Sequence, residues 1–205
     1  MSAAQVSRME TDRVPPYDPY LLPRMEPILK TCKEKGIKII TNQGWLDPEE
    51  AAQQVAALAL KLGIQNLRVA SVSGGILTKT IGTMGLDFIE TGKPIAESLD
   101  TVVSAEAYLG AQGIVEALKG GADVVITTRI ADACLYLGPL AYEFDWSFDD
   151  YQLMAKGMVI GHLMECGSQL SGGYFCDPGY KDVPDLANVG NPIAEVSDDR
   201  VLFSK

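Results

Sequence analysis

The chain has 205 residues, of which 27 are acidic and 17 basic, giving a formal charge of −10 at pH 7. A hydrophobic content of 47% is too high for a chain disordered throughout, and the length suits one ordinary domain with a real core. So acidic a surface repels phosphate chains and excludes a general nucleic-acid binder, while leaving room for a local basic pocket that takes one small anion.

Residues 1–17 contain Pro15 and Pro16, few large aliphatics and no periodicity, and read as a flexible N-terminal arm. Residues 18–205 read as a single α/β domain. From Leu21 a pattern of helix, glycine, short β-branched strand and polar loop occurs three times. The first unit places Met25, Ile28, Leu29 and Cys32 on one helical face, stops at Gly36 and continues as a strand over Ile37–Thr41. In the second, Asp47 is placed to cap, Pro48 suits the first helical position, and Val55, Leu58, Ala59 and Leu62 form an apolar stripe; Gly63 and a strand over Leu67–Val72 follow. The third runs as a helix from about Glu106 to Lys119, ends at Gly120-Gly121, and leads into a strand over Asp123–Thr127. A short strand over Thr101–Ser104 is a further expectation.

Strands separated by helices cannot be hairpins, so the pattern predicts a parallel sheet covered by helices, a three-layer domain of Rossmann or flavodoxin-like type. After Ala131 the spacing predicts helices over Ala131–Tyr142 and Asp149–Leu170, then an irregular Gly/Pro-rich region over Ser171–Pro192. Gly157 and Gly161 form a G-x-x-x-G step that signals close helix contact, within the domain or across a subunit interface. Cys32, Cys134, Cys166 and Cys176 show no C-x-x-C pairing, no basic stretch followed by an apolar run opens the chain, and no apolar stretch reaches 18 residues. These features point to a cytoplasmic protein with reduced thiols and no membrane partner.

In parallel sheets ligands gather beyond the carboxyl ends of the strands. That rule selects the segment Thr41–Trp45 with Asn42, the loop Ser73-Gly74-Gly75, and Thr127–Asp132 with Arg129 and Asp132. No G-x-G-x-x-G or Walker A pattern is present, and no cofactor is expected. Arg129 at a strand end suits a carboxylate or phosphate; Asp132, three residues on, either caps the next helix and pairs with Arg129 or acts as a base. His162, the only histidine, shares a helical face with Glu165 and Cys166. That face reads either as a satisfied polar cluster or as an acid–base pair; the trio is a poor match to zinc patterns, no metal is expected, and apolar neighbours disfavour Cys166 as a nucleophile. Tyr174 and Asp177, in a glycine-rich stretch, suit a lid or substrate-binding loop or a plain surface connection.

Several stretches together resemble the acyclic terpene utilisation (AtuA-type) family. They are Gly36–Asn42, Gly121–Thr127 continuing to Arg129–Ala133, Gly161–Gly167, and above all Gly172–Ile193 with Asp177-Pro178-Gly179-Tyr180-Lys181-Asp182-Val183-Pro184. The resemblance spans about residues 18–196. It implies a role beside acyl-CoA pathways: an enzyme or enzyme subunit acting on an acyl thioester or related carboxylate, by hydration, dehydration or hydrolysis. It also implies further structure before Tyr17 and beyond Glu195, so the chain reads as the central part of a larger domain, either a truncated form or a subunit of a homo- or hetero-oligomer. The alternative reading is a non-catalytic binding or scaffold subunit that completes its fold with a partner chain.

Overall fold

The computed structural model describes residues 14–205 together with Val6, Met9 and Asp12, so the expected arm over residues 1–17 lies largely outside the described residues. The chain divides into two units, the first ending at Ala131 and the second running from Asp132 to Lys205.

In the first unit the chain forms α1 (Leu21–Met25), α2 (Leu29–Lys35), β1 (Ile39–Trp45), α3 (Pro48–Lys61), β2 (Val69–Val72), α4 (Gln112–Lys119) and β3 (Val124–Thr128). The three strands are parallel in the order β1-β3-β2. All five residues of β3 are buried, as expected for the central strand of a parallel sheet. Two of them, Val124 and Ile126, join Leu21, Leu29, Val55, Leu58 and Ala59 in one apolar cluster, so α1, α2 and α3 all close on the same strands. Burying each of the larger aliphatics contributes about 1.5–3 kcal/mol. Helix α4 packs elsewhere on the sheet: a side chain at its Gly113 would meet Val72 Cγ1 at 2.5 Å.

Local signals place these elements. Asp47 Oδ1 accepts from the Glu50 amide at 2.8 Å, with Pro48 as the first helical residue, which starts α3 as the sequence predicts. Gly36 closes α2 at φ 68°, a left-handed conformation that a β-carbon penalises. At the start of β3, Asp123 accepts from Lys33 Nζ at 2.7 Å, from Lys38 Nζ at 3.4 Å and from the Arg68 amide at 2.9 Å. Burial pushes the Asp123 carboxyl up, but the hydrogen bonds from Lys33 and Arg68 and the nearby lysine charges outweigh it and hold the group below its ordinary range.

The sequence-predicted boundaries shift in instructive places. Helix α4 begins at Gln112 rather than Glu106, and no strand forms over Thr101–Ser104. Residues 73–111 are instead an excursion of single-turn helices (Ile81–Thr83, Ile95–Glu97 and Leu99–Thr101), pinched at its base where the Ala107 amide donates to Gly75 O and the Leu77 amide to Ala105 O, both at 2.8 Å. Among the described residues, Val102–Ser104 pair with no strand. Conversely, β1 continues through the polar segment expected to be a loop, but its register against β3 breaks between Thr41 and Trp45.

The second unit contains α5 (Cys134–Glu143), α6 (Tyr151–Glu165) and a hairpin of β4 (Ile193–Val196) and β5 (Val201–Ser204). A β-carbon on Gly161 would sit 2.3 Å from the Ala133 carbonyl oxygen, and one on Gly157 would sit 2.4 Å from Leu137 Cδ1. The G-x-x-x-G step therefore serves helix contact inside this unit. Helix α6 ends at Glu165, short of the predicted Leu170, because Gly167 turns to φ 53° and a single-turn helix follows. The hairpin carries alternating exposed and half-buried residues and was missed because its two strands are only four residues long. Lys156 on α6 donates to the Ser197 and Asp198 carbonyls at 3.3 and 3.4 Å, tying down the hairpin turn. Among the described residues no helix is long and apolar enough to cross a membrane.

Candidate functional site

In the first unit the register break in β1 leaves Asn42 and Gln43 at the carboxyl end of the sheet, where Arg129 follows directly on β3. Gly44 permits it: a β-carbon there would meet the Thr127 carbonyl oxygen and Pro48 Cβ, each at 2.7 Å. Trp45, next in line, sits at φ 43°, a left-handed backbone costing a bulky side chain about 1–3 kcal/mol and held by its surroundings. The result is a hollow of about 430 Å³ walled by Asp18, Arg24, Asn42, Gln43, Trp45 and Arg129 among others.

Each polar wall of this hollow is held. Arg129 lies over the Tyr108 ring, 4.7 Å from its centroid, and donates from Nε and Nη2 to the Tyr108 hydroxyl at 3.3 and 3.1 Å. Gln43 Nε2 donates to Asp18 Oδ2 at 2.6 Å, and Thr41 Oγ1 donates to Gln43 Oε1 at 3.2 Å, which fixes the amide orientation. Asp18 also accepts from the Tyr20 amide at 2.9 Å and pairs with Arg24 at 3.7 Å. Backbone bonds from the Asp18 amide to Gln43 O and from the Leu46 amide to Pro16 O lash this segment along the outer side of β1. Two guanidiniums beside side-chain amides can bind a planar or tetrahedral anion.

The second unit gathers the residues expected to do acid–base work. His162, Glu165 and Cys166 wall a hollow of about 450 Å³ at the end of α6, with Gln169 and Leu170. Cys166 Sγ donates to Glu165 Oε1 at 2.9 Å. This hydrogen bond first, then loss of solvation and the charges of Glu165 and Asp132, push the Cys166 thiol up, away from the thiolate form a nucleophile needs. The reason the thiol is quiet is thus chiefly a carboxylate partner, not the apolar surroundings expected from the sequence. Asp132, just ahead of α5, is therefore electrostatically near the same thiol, and Ala133 holds the N-cap position of α5 with no side-chain hydrogen bond. Among the described residues no group of three or more His, Cys, Asp and Glu is placed to hold a metal ion.

Set against known families, the chain matches the acyclic terpene utilisation family protein AtuA over residues 1–201. It belongs to the acyclic terpene utilisation family. Neither the curated proteins nor the solved structures contain a match to it.

In this family member the remaining expected residues are not among the residues that wall the hollow of their own unit. Gly74 turns the chain at φ 108°, and a β-carbon on Gly75 would meet the Ala107 carbonyl oxygen at 2.6 Å and Thr128 Oγ1 at 3.1 Å, so Gly75 lets the chain pass close against β3. Thr128 Oγ1 itself is buried with no hydrogen-bond partner among the described residues. Tyr174 lies on a single-turn helix (Gly173–Phe175) with 77% of its surface exposed, and Asp177 opens a tight turn in which its amide donates to Lys181 O at 2.8 Å. Two charged wall residues, Asp18 and Arg24, were not anticipated. Arg24 reads from sequence as an ordinary solvated residue on the polar side of an amphipathic helix. Asp18 carried the one available signal, a carboxylate in the Tyr17-Asp18-Pro19 stretch where the resemblance to the family begins.

Proposed function

We propose that this acyclic terpene utilisation family protein binds a small acyl thioester or related carboxylate through the Arg129 hollow, and that it is an enzyme or enzyme subunit promoting hydration, dehydration or hydrolysis by acid–base chemistry. The observation that carries the reading is that Asn42 and Arg129, from the ends of β1 and β3, wall one polar hollow with a second arginine. Such a place, beyond the carboxyl ends of parallel strands, is where α/β sheets take their ligands. The same reading extends the sheet with α3 and α4 to a three-layer, Rossmann-like arrangement. Gly75 stays in the binding role through the buried Thr128 hydroxyl it approaches, with Ser73 and Gly74 next to it in the chain, and Tyr174 and Asp177 as a substrate-facing loop. His162, Glu165 and Asp132 are the acid–base groups; they are supported by the shared hollow of His162 and Glu165 and by the charge of Asp132 felt at Cys166.

Replacing Arg129 with Ala and titrating a panel of acyl-CoA thioesters and their free acids tests the binding half: affinity falls by about tenfold or more if a charge-assisted bond is lost. Unchanged affinity would remove Arg129 from the site. His162→Gln and Glu165→Gln, assayed for turnover on whichever thioester binds, test the chemical half; full turnover in both would leave the protein without its acid–base groups.

A second reading, a non-catalytic binding or scaffold subunit, is favoured by the uncharged outer face of α6, where Tyr151 is 80% and Val159 60% exposed. Light scattering after size exclusion separates the two: a stable monomer that binds a thioester argues against the scaffold.

A further inference from the structure

Besides the His162 hollow, the second unit holds another of about 290 Å³, walled by its helix pair and its hairpin. Leu140, Phe144, Ile160 and Met164 wall it from the helix side, and Ala194 and Val196 from β4. The space exists because the hairpin turns small side chains inward: Ala194 and Val196 are half-buried and alternate with the more exposed Ile193 and Glu195. Lys156 holds that hairpin at its turn and does not line the hollow. A cavity of about 150 Å³ takes one benzene, so this volume has room for about ten non-hydrogen atoms of an apolar ligand. The apolar walls fix that a hydrocarbon chain goes in, and the polar side chains decide what the chain carries. Tyr136 and Glu143 are the polar side chains of the wall. The Tyr136 hydroxyl donates to Met164 O at 3.2 Å, so what it offers a ligand is a lone pair. Glu143, exposed at the end of α5, is an acceptor with a full charge. Burial first, then the charge of Glu165, push the Tyr136 phenol up, so the field of a second carboxylate reaches this wall.

We infer that this hollow binds a primary aliphatic amine in its ammonium form, with the chain between the helices and the hairpin and the head group at Glu143. Acceptor side chains, a negative field and the aromatic rings of Tyr136 and Phe144 all suit a cation that donates hydrogen bonds. A chain ending in a carboxylate meets a like charge there, and an alcohol gains the apolar contact without the ionic one. The ammonium stays at the rim because it is strongly hydrated and costly to bury, just as a lysine stem covers apolar surface while its charge remains in water. The formal charge of −10 favours the approach of a cation as well. No wall residue of this hollow serves the thioester reading, which the amine site neither needs nor supports.

The test is titration calorimetry of the full chain at pH 7, where alkylamines are protonated, with butylamine, hexylamine, octylamine and dodecylamine. Affinity rises about three- to fourfold per methylene as far as octylamine and then flattens, because the hollow is full. Octylamine binds one to one and about threefold more tightly than 1-octanol. Glu143→Gln, a change at an exposed position, brings the amine down to the alcohol and leaves the alcohol where it was. Ala194→Phe, with a melting curve to show it folded, fills the hollow and weakens both ligands by about tenfold or more. Affinity independent of chain length would mark adsorption to the acidic surface, and affinity still climbing at dodecylamine would mark loose partition. Either overturns the site, as does undiminished octylamine binding in folded Ala194→Phe. Octanol that matches octylamine in the native chain, or an unchanged ratio of the two in Glu143→Gln, overturns the choice of an amine. The length series and Glu143→Gln decide the matter even where Ala194→Phe does not fold.

Discussion

The first unit's hollow of about 430 Å³ is walled by arginines, amides and a carboxylate, whereas a smaller one in the second unit, about 290 Å³, is walled mainly by apolar side chains such as Leu140, Phe144, Ile160, Met164 and Val196, with Glu143 beside them. The contrast follows from how each is built. In a parallel sheet the strand ends deliver unpaired backbone and polar side chains to one rim, and a register break is enough to turn Asn42 and Gln43 into it. Between two helices brought together by Gly157 and Gly161, side-chain packing shapes the space, and what it leaves is mainly apolar. A polar hollow can orient a charged group, while an apolar one offers area without direction.

The helix pair is the more brittle of the two constructions. Gly161→Ala drives a methyl against the Ala133 backbone, with its oxygen at 2.3 Å and its Cα at 2.8 Å, and neither can swing aside as a side-chain tip would. The expected loss is about 3 kcal/mol. The two tryptophans fall one to each unit, so denaturation of Gly161→Ala followed by Trp146 emission, in a Trp45→Phe background, reads the second unit alone. A midpoint within error of the parent would show that α5 and α6 separate freely, and the contrast drawn above would lose its basis.

The first unit is held at its other end by charge, and acid exposes this. Asp123 has a carboxyl lowered in the folded state, so its stabilising contribution is present above the unfolded-state value near 4 and is lost as pH falls through the lower folded value. Asp123→Asn, which leaves Lys33 and Lys38 facing an amide, is expected to cost about 2 kcal/mol at neutral pH. The gap between the variant and the native chain then narrows as both are acidified below about pH 4. Urea midpoints read at Trp45 from pH 7 to pH 3 check this; a gap that is constant with pH would assign the loss to packing rather than charge.

Helix caps give a smaller and symmetrical comparison. Asp47 caps α3 through the Glu50 amide, and Asp150 caps α6 through the Gln152 and Leu153 amides at 3.1 and 3.0 Å. Replacing either with Ala should cost about 1 kcal/mol. A loss at Asp150 much larger than at Asp47, by chemical denaturation, would mean that α6 depends on its cap because its glycines weaken it from within.

These two helix starts also mark what could be read without a structure. The Asp47-Pro48 start, the stripe of Val55, Leu58 and Ala59, the left-handed Gly36 and the buried β3 are all local or periodic features, and such features survive in sequence. Within the site, Asn42 and Arg129 were legible because strand ends in a parallel sheet have a known use. Asp18 and Arg24 were not, since they reach the hollow through a side-chain network that crosses from Tyr20 to Gln43, and no spacing rule encodes such a crossing. The Thr101–Ser104 strand failed for the converse reason: β-branched residues form a strand only beside a partner, and among the described residues these pair with no strand.

The smallest expected effect concerns chemistry rather than stability. Cys166 is exposed, yet its thiol is pushed up chiefly by the hydrogen bond it donates to Glu165 and further by the Glu165 and Asp132 charges. Exposure alone would make it the readiest thiol of the second unit toward iodoacetamide, since Cys134 is buried and Cys176 half-buried. The carboxylate partner predicts the reverse at pH 8: little thiolate, and slow alkylation. Glu165→Gln removes one negative charge and the strongest acceptor, which lowers the thiol toward its ordinary value and speeds alkylation of Cys166 by a few-fold, roughly. Peptide mass spectrometry over time resolves Cys166 from the other three cysteines. An unchanged rate in Glu165→Gln would show that the bond does not hold the proton in solution, and would return Cys166 to consideration as a nucleophile beside His162. A faster rate confines reactivity at this end of α6 to the imidazole and the two carboxylates.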